Sequence, residues 1–174
     1  AHYKPKYVAV LLGMNDGGVK PYDDELFQAY RRDMTRLAER IVEIGATPIW
    51  MTPTMYDAGA ARLSGRPVPA ERTEMYNATL AAFGDIDKEV AQQEGVNFAD
   101  VHTAMAAALA KGYAASPTYT VGGDGSHVGP AGHLMIAYGF LKGLGFDGAI
   151  GTITVDLAAN KAEGTPGQRI VSCQ

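Results

Sequence analysis

Three short apolar runs, each followed by a stretch of helical periodicity, constrain this chain more than any other feature. Residues 7–12 (YVAVLL), 47–52 (TPIWMT) and 96–101 (VNFADV) are rich in β-formers. A continuous apolar run of this length, as in 7–12, reads as a strand buried on both faces, the habit of a parallel sheet. After the first run, Leu26, Tyr30, Met34, Leu37, Ile41 and Ile44 recur at spacings of three and four, forming one apolar stripe. Asp23 or Asp24 caps that helix and Gly45 closes it. After the second run comes an irregular insert, residues 55–69. A helix then starts at Ala70 with Tyr76, Leu80, Phe83 and Val90 facing inward, weakened at Gly84 and ended by Gly95. After the third run, residues 103–111 predict a short alanine-rich helix stopped by Gly112. Strand and helix alternating three times predict an α/β fold with a parallel sheet.

The remainder of the chain is less regular. Residues 113–129 form a long loop, and loops of this length without secondary structure are usually functional or disordered. Pro130 suits the first turn of a last helix, with Leu134, Ala137, Tyr138 and Leu141 as its stripe. Beyond Gly145 the texture changes. Ile153, Val155 and Leu157 alternate with polar residues, a polar turn spans 160–167, and Ile170 and Val171 follow, which predicts a β-hairpin. The expected division is an α/β domain over residues 1–148 and a hairpin extension over 149–174.

Bulk properties exclude several functions. At 174 residues the chain fits one domain. Its net charge of −4, with Lys and Arg dispersed, leaves no nucleic-acid footprint. No apolar run approaches the roughly 20 residues of a membrane-spanning helix. The single cysteine, Cys173, rules out an internal disulfide. The sequence begins Ala1-His2-Tyr3 with no Met and no signal-peptide pattern, which is expected equally of a natural start and of a processed or truncated chain, so it is not evidence for the cytoplasm. His102, His127 and His133 lack metal-ligand spacing and a cysteine partner, so no metal is expected. A nucleotide site would need a G-x-G-x-x-G turn between strand and helix, and residues 13–18 lack that spacing.

Two stretches carry candidate chemistry. In Asp124-Gly125-Ser126-His127, a carboxylate three residues before an imidazole can reach back to the ring, fix its tautomer and leave the other nitrogen as a base. On spacing alone the plainer description is an Asx-type turn with a surface histidine. In Gly13-Met14-Asn15-Asp16, a side-chain amide just past a buried strand can donate to a developing oxyanion. Asn-Asp-Gly-Gly is equally good turn chemistry. Asn15 and Asp16 fall at the carboxyl edge of the predicted sheet, where ligands of α/β proteins sit.

Taken together, these stretches resemble the SGNH (GDSL-type) hydrolase family. A buried strand followed by G-x-N-D matches Gly13, Met14, Asn15 and Asp16. D-x-x-H followed by a small-residue turn and a helix matches Asp124 to His127 with Gly129, Pro130, Ala131 and Gly132. The resemblance covers about residues 6–145. It implies a flavodoxin-like three-layer α/β/α fold and a cofactor-free carboxylic ester hydrolase. It implies His127 as base, Asp124 as its orienting acid, Asn15 as an oxyanion-hole donor, and Gly13 and Asp16 as supporting residues. Its substrates would be acyl esters, with O-acetyl carbohydrate favoured.

The family's G-D-S block, which supplies the nucleophile, and its next block, which supplies a glycine amide, should both precede Tyr7, where only six residues stand. The fold is therefore expected to be incomplete at its N-terminus. A preceding segment of the same protein is the expected partner, and without it the 7–12 strand would offer an unpaired apolar edge, a predicted aggregation site. Of the four serines, Ser64 and Ser116 lie in inserts with no preceding strand, and Ser172 is in the tail. Ser126 lies inside the acid–base turn, away from any strand-to-helix elbow. The isolated chain is expected to be inactive, and a non-catalytic member of the same fold is the alternative.

Overall fold

The computed structural model describes residues 3–18, 21 and 23–172. The readings on Ala1, His2 and Cys173 lie outside them. Three parallel strands, β1 (Tyr7–Leu11), β2 (Thr47–Met51) and β3 (Asn97–Ala99), pair in the order β1-β2-β3. Val10 lies opposite Trp50 and Trp50 opposite Phe98, which sets the register across the sheet. Helices α2 (Asp24–Glu43) and α4 (Ala70–Gln93) cover one face. Val10, Trp50, Phe27, Tyr30, Met34 and Phe83 form the core there, with Phe27 stacked on Phe83 at 4.4 Å between ring centroids. Helix α6 (Pro130–Gly143) covers the other face, where Ile136 and Phe140 pack against Leu11, Met51 and Ala99. Helix α5 (Val101–Ala115) lies alongside α6. The result is the expected three-layer α/β/α arrangement. No described helix is long and apolar enough to cross a membrane.

Several elements differ from expectation for physical reasons. β1 is not buried on both faces: Val10 is buried, while Tyr7 and Ala9 are exposed. It is the outer strand of the sheet, and among the described residues no strand pairs with its free edge. The buried stripe of α2 is Phe27, Tyr30, Met34, Ala38 and Ile41, and Ile44 is left exposed. The helix is turned so that Phe27 reaches Phe83, and its N-cap is Asp23, whose carboxylate accepts from the backbone N–H groups of Glu25 and Leu26.

Glycines account for three further differences. α4 runs unbroken through Gly84, where a Cβ would lie 3.0 Å from Thr52 Cγ2, so the glycine lets the helix pack close to the end of β2. α5 runs through Gly112, against which the Tyr119 ring lies. On α6 the anticipated stripe points outward, with Leu134 73% and Tyr138 61% exposed. The face that packs is built on glycine. A Cβ at Gly139 would lie 3.1 Å from Val101 Cα, and one at Gly143 only 2.4 Å from Ala99 Cα. Close backbone approach, rather than large side chains, seats this helix.

Two short helices were not foreseen: α1 (Met14–Gly17), a single turn after β1, and α3 (Ala58–Leu63), inside the predicted irregular insert. The C-terminal hairpin is present but tighter than expected. β4 (Ile153–Asp156) pairs antiparallel with β5 (Lys161–Gly164), so Ile170 and Val171 lie beyond it. Asp156 accepts from the Ala159 N–H, and Asn160 takes a left-handed conformation (φ 47°), which closes the turn after only four residues.

Candidate active site

The carboxyl ends of β1 and β2 open into a cleft of about 200 Å³. Gly13, Met14, Asn15 and Asp16 line one side, Pro53 and Thr54 the floor, and Ser126 and His127 the other side. Two stretches more than a hundred residues apart in sequence thus meet in one site.

The first wall is α1. Gly13 begins it with φ 107°, a conformation that favours glycine, and a Cβ there would meet Pro53 Cγ at 2.7 Å. The Gly17 N–H closes the turn on the Gly13 carbonyl at 3.1 Å, and the Tyr76 hydroxyl donates to the Met14 carbonyl. Asn15 and Asp16 are exposed at the cleft. Beneath the turn, the Tyr30 hydroxyl donates to the buried Asp87 carboxyl at 3.1 Å. Burial pushes the Asp87 acid up to about 8, against the opposing hydrogen bond from Tyr30 and a weaker pull from the nearby Trp50 indole; the charge of Asp16 adds to the rise. The Trp50 N–H itself closes no hydrogen bond among the described residues.

The second wall is the turn holding Asp124 and His127. The backbone N–H groups of Ser126 and His127 both donate to Asp124 Oδ1, at 3.1 and 2.8 Å. His127 Nδ1 lies 3.1 Å from Oδ2 and 3.3 Å from Oδ1. The His127 backbone and ring hold the Asp124 carboxyl down at about 2, so it is ionised across the neutral range. With Nδ1 facing the carboxylate, Nε2 is the nitrogen left to exchange a proton. Gly123 and Val128 form a bridge across the turn, and the Asp124 N–H donates to the His127 carbonyl. Gly123 adopts φ 82°, and a Cβ there would fall 1.7 Å from the His127 oxygen, so no other residue fits.

Behind this turn lies a residue that sequence reasoning missed. Asp57, the N-cap of α3, is buried and accepts five hydrogen bonds. The Asp-Ala-Gly-Ala-Ala-Arg-Leu sequence from Asp57 to Leu63 carried a cap signal that could have placed α3. Nothing local announced its long-range partners. Arg66, just past α3, lies 3.4 Å from Asp124 Oδ2 on the surface.

The other candidates sit apart. His102 lies on the first turn of α5, where burial pushes its imidazole down and its Nδ1 meets no partner among the described residues. His133 is exposed on α6. Among the described residues no three His, Cys, Asp or Glu side chains cluster as a metal site.

A three-layer α/β/α fold with its cleft at the carboxyl edge of the strands is the arrangement expected of the SGNH-hydrolase fold. A profile of the GDSL-like lipase/acylhydrolase family matches residues 1–135. The chain belongs to that family. Among solved structures it is similar to Axe2, an acetylxylan esterase from Geobacillus stearothermophilus, with a TM-score of 0.59 and 25% identity over 83% of this chain and 61% of that one. LAE5, an α/β hydrolase enzyme from the metagenome of Lake Arreo, Spain, gives the same TM-score and identity over 82% of this chain and 61% of its own. BT4096, a gut microbial diltiazem-metabolizing enzyme, shares the fold at a TM-score of 0.67 and 22% identity over 91% of this chain and 38% of its own. The chain therefore spans about three-fifths of the length of the first two. No curated protein sequence matches it.

Proposed function

We propose that the protein is a serine ester hydrolase of SGNH type, in which this chain supplies the base, the orienting acid and part of the oxyanion hole. The observation that carries the reading is the meeting of Asn15 and the Asp124-paired His127 in one cleft. The nucleophile is a serine other than the four present here. Ser64, Ser116 and Ser172 do not line the cleft, and Ser126, which does, sits inside the acid–base turn beside His127 rather than on a strand-to-helix turn. Catalytic mutants of the similar acetylxylan esterase replace a serine or an aspartate with alanine, which supports a serine–aspartate chemistry.

In this reading the serine hydroxyl attacks the ester carbonyl as His127 Nε2 takes its proton. The negative charge moves onto the carbonyl oxygen, where the Asn15 amide and backbone N–H groups donate to it. Collapse of the tetrahedral species expels the alcohol, which takes the proton back from His127. Water, deprotonated by the same nitrogen, then attacks the acyl-enzyme; the serine leaves, taking the proton back from His127, and the carboxylic acid is released. Asp124 stays ionised throughout and stabilises the imidazolium. No cofactor enters. The likeness to an acetylxylan esterase favours O-acetyl carbohydrate as the substrate class.

The test is hydrolysis of short-chain aryl esters by the intact protein and by its His127→Ala variant. A loss on the order of 10⁴-fold or more in kcat is expected. Equal turnover by the two would refute the assignment. The isolated chain of 174 residues is expected to show none. An intact protein that binds acyl esters without cleaving them would favour a non-catalytic module of the same fold.

A further inference from the structure

The structure assigns a positioning role to Asp57: we propose that this residue sets the place of the acid–base turn, and through it the reach of His127 into the cleft. The inference rests on His127 being the base. Its starting point is how little else holds the ring. The His127 side chain is 89% exposed, so packing does not orient it. Its position is dictated by the turn's own backbone and by the Asp124 carboxylate, and the place of the turn depends on what grips it from behind.

Asp57 grips it at two points. Its side chain holds the approach to the turn: Oδ2 accepts from the Val121 N–H at 2.9 Å and the Thr120 hydroxyl at 2.6 Å. Thr120 Oγ1 in turn accepts from the Gly122 N–H at 3.0 Å. The backbone N–H of Asp57 holds the apex, donating to the Gly125 carbonyl at 3.0 Å. Oδ1 anchors the same residue to the scaffold, accepting from the N–H groups of Gly59 and Ala60 at the start of α3 and from the Tyr113 hydroxyl at the end of α5. Gly125, at φ 101°, is pressed so closely on this support that a Cβ would come within 3.0 Å of the Asp57 carbonyl oxygen. One buried residue therefore ties α3, α5 and both ends of the Gly122–Gly125 arc together.

The geometry requires a carboxylate. Each oxygen accepts from at least one backbone N–H, and a backbone donor cannot reverse. An asparagine would turn its NH₂ toward one of them whichever way it was set, leaving a buried donor facing a donor. Burial would raise this acid, but the hydrogen bonds from Thr120, Tyr113, Val121 and Ala60 together outweigh it, and the carboxyl is held below the usual range.

The experiment compares Asp57→Asn, Tyr113→Phe and Thr120→Val with wild type and His127→Ala, all in the intact protein. Short-chain aryl ester kinetics are measured well below each unfolding midpoint, with the proton resonance of His127 Nδ1–H as a second readout. Asp57→Asn should lower kcat by about 10- to 100-fold with KM nearly unchanged, and should shift or broaden that resonance. Tyr113→Phe and Thr120→Val each remove one donor and keep the carboxylate; they should fold and move kcat in the same direction by less. If His127→Ala is dead while the variants that fold keep wild-type kcat and an unmoved resonance, Asp57 is only a structural anchor and the proposal fails alone. If His127→Ala keeps its activity, the underlying assignment of the base fails and this inference goes with it.

Discussion

Replacing Asp87 by asparagine tests the energetics of the core beneath α1. Asp87 is fully buried on α4, takes a hydrogen bond from Tyr30, and has its acid raised to about 8 chiefly by burial. An acid raised in the folded state stabilises the fold below its unfolded pKa and progressively destabilises it as pH climbs to the folded value. In the unfolded chain an aspartate ionises near 3.9. Between about pH 4 and 8 the unfolded state therefore releases a proton that the folded state retains. At about 1.4 kcal/mol per pH unit this amounts to about 4 kcal/mol of stability lost by wild type from pH 4.5 to 8. Asparagine cannot titrate. It keeps an acceptor for the Tyr30 hydroxyl but leaves an amide donor in the core, at a constant cost of about 1–3 kcal/mol. The assay is urea unfolding of both proteins across that range. The stability of Asp87→Asn relative to wild type should rise by about 4 kcal/mol from pH 4.5 to 8, becoming favourable near neutrality. The comparison cancels the other carboxylates. A difference that stays flat with pH would refute the reasoning, because it would mean that Asp87 ionises as freely in the fold as outside it.

Two other substitutions probe separate links. Asn15→Ala should lower kcat on the intact protein by about 10²–10³-fold while leaving the unfolding midpoint near wild type, since Asn15 is exposed; steady-state kinetics with an aryl ester check it. Gly143→Ala should destabilise the protein by about 1–3 kcal/mol, because the new methyl must push α6 off β3, where Ala99 Cα stands 2.4 Å away; urea unfolding at a single pH measures it.

The order of elements was legible in the sequence because it is written in local patterns. Runs such as 47–52, and helices with one clear apolar face, need no distant information. The Asp124–His127 pair was legible for the same reason: its geometry is completed within four residues. What escaped depends on contact between distant parts. Tyr113, Thr120 and Val121 lie 56 to 64 residues beyond Asp57, and no spacing rule joins them to it. The face of α6 was misassigned because stripe counting weighs large side chains, whereas that helix is seated by Gly139 and Gly143. α1 and α3 are too short to show a period; Asp57 as a cap was the one trace α3 left, and α1 has no side-chain cap.

The closure of the acid–base turn on itself has a mechanical consequence. Backbone and side-chain bonds within Asp124 to His127 hold the donor–acceptor distance of the pair locally, so with the Asp57 support in place thermal breathing of the sheet changes that distance less than it changes the cleft. Breathing instead changes the gap between this turn and α1, which are carried by different parts of the fold. The soft coordinate of the site is the width of the cleft, and temperature or solvent viscosity should act on that width before they act on the pairing of acid and base.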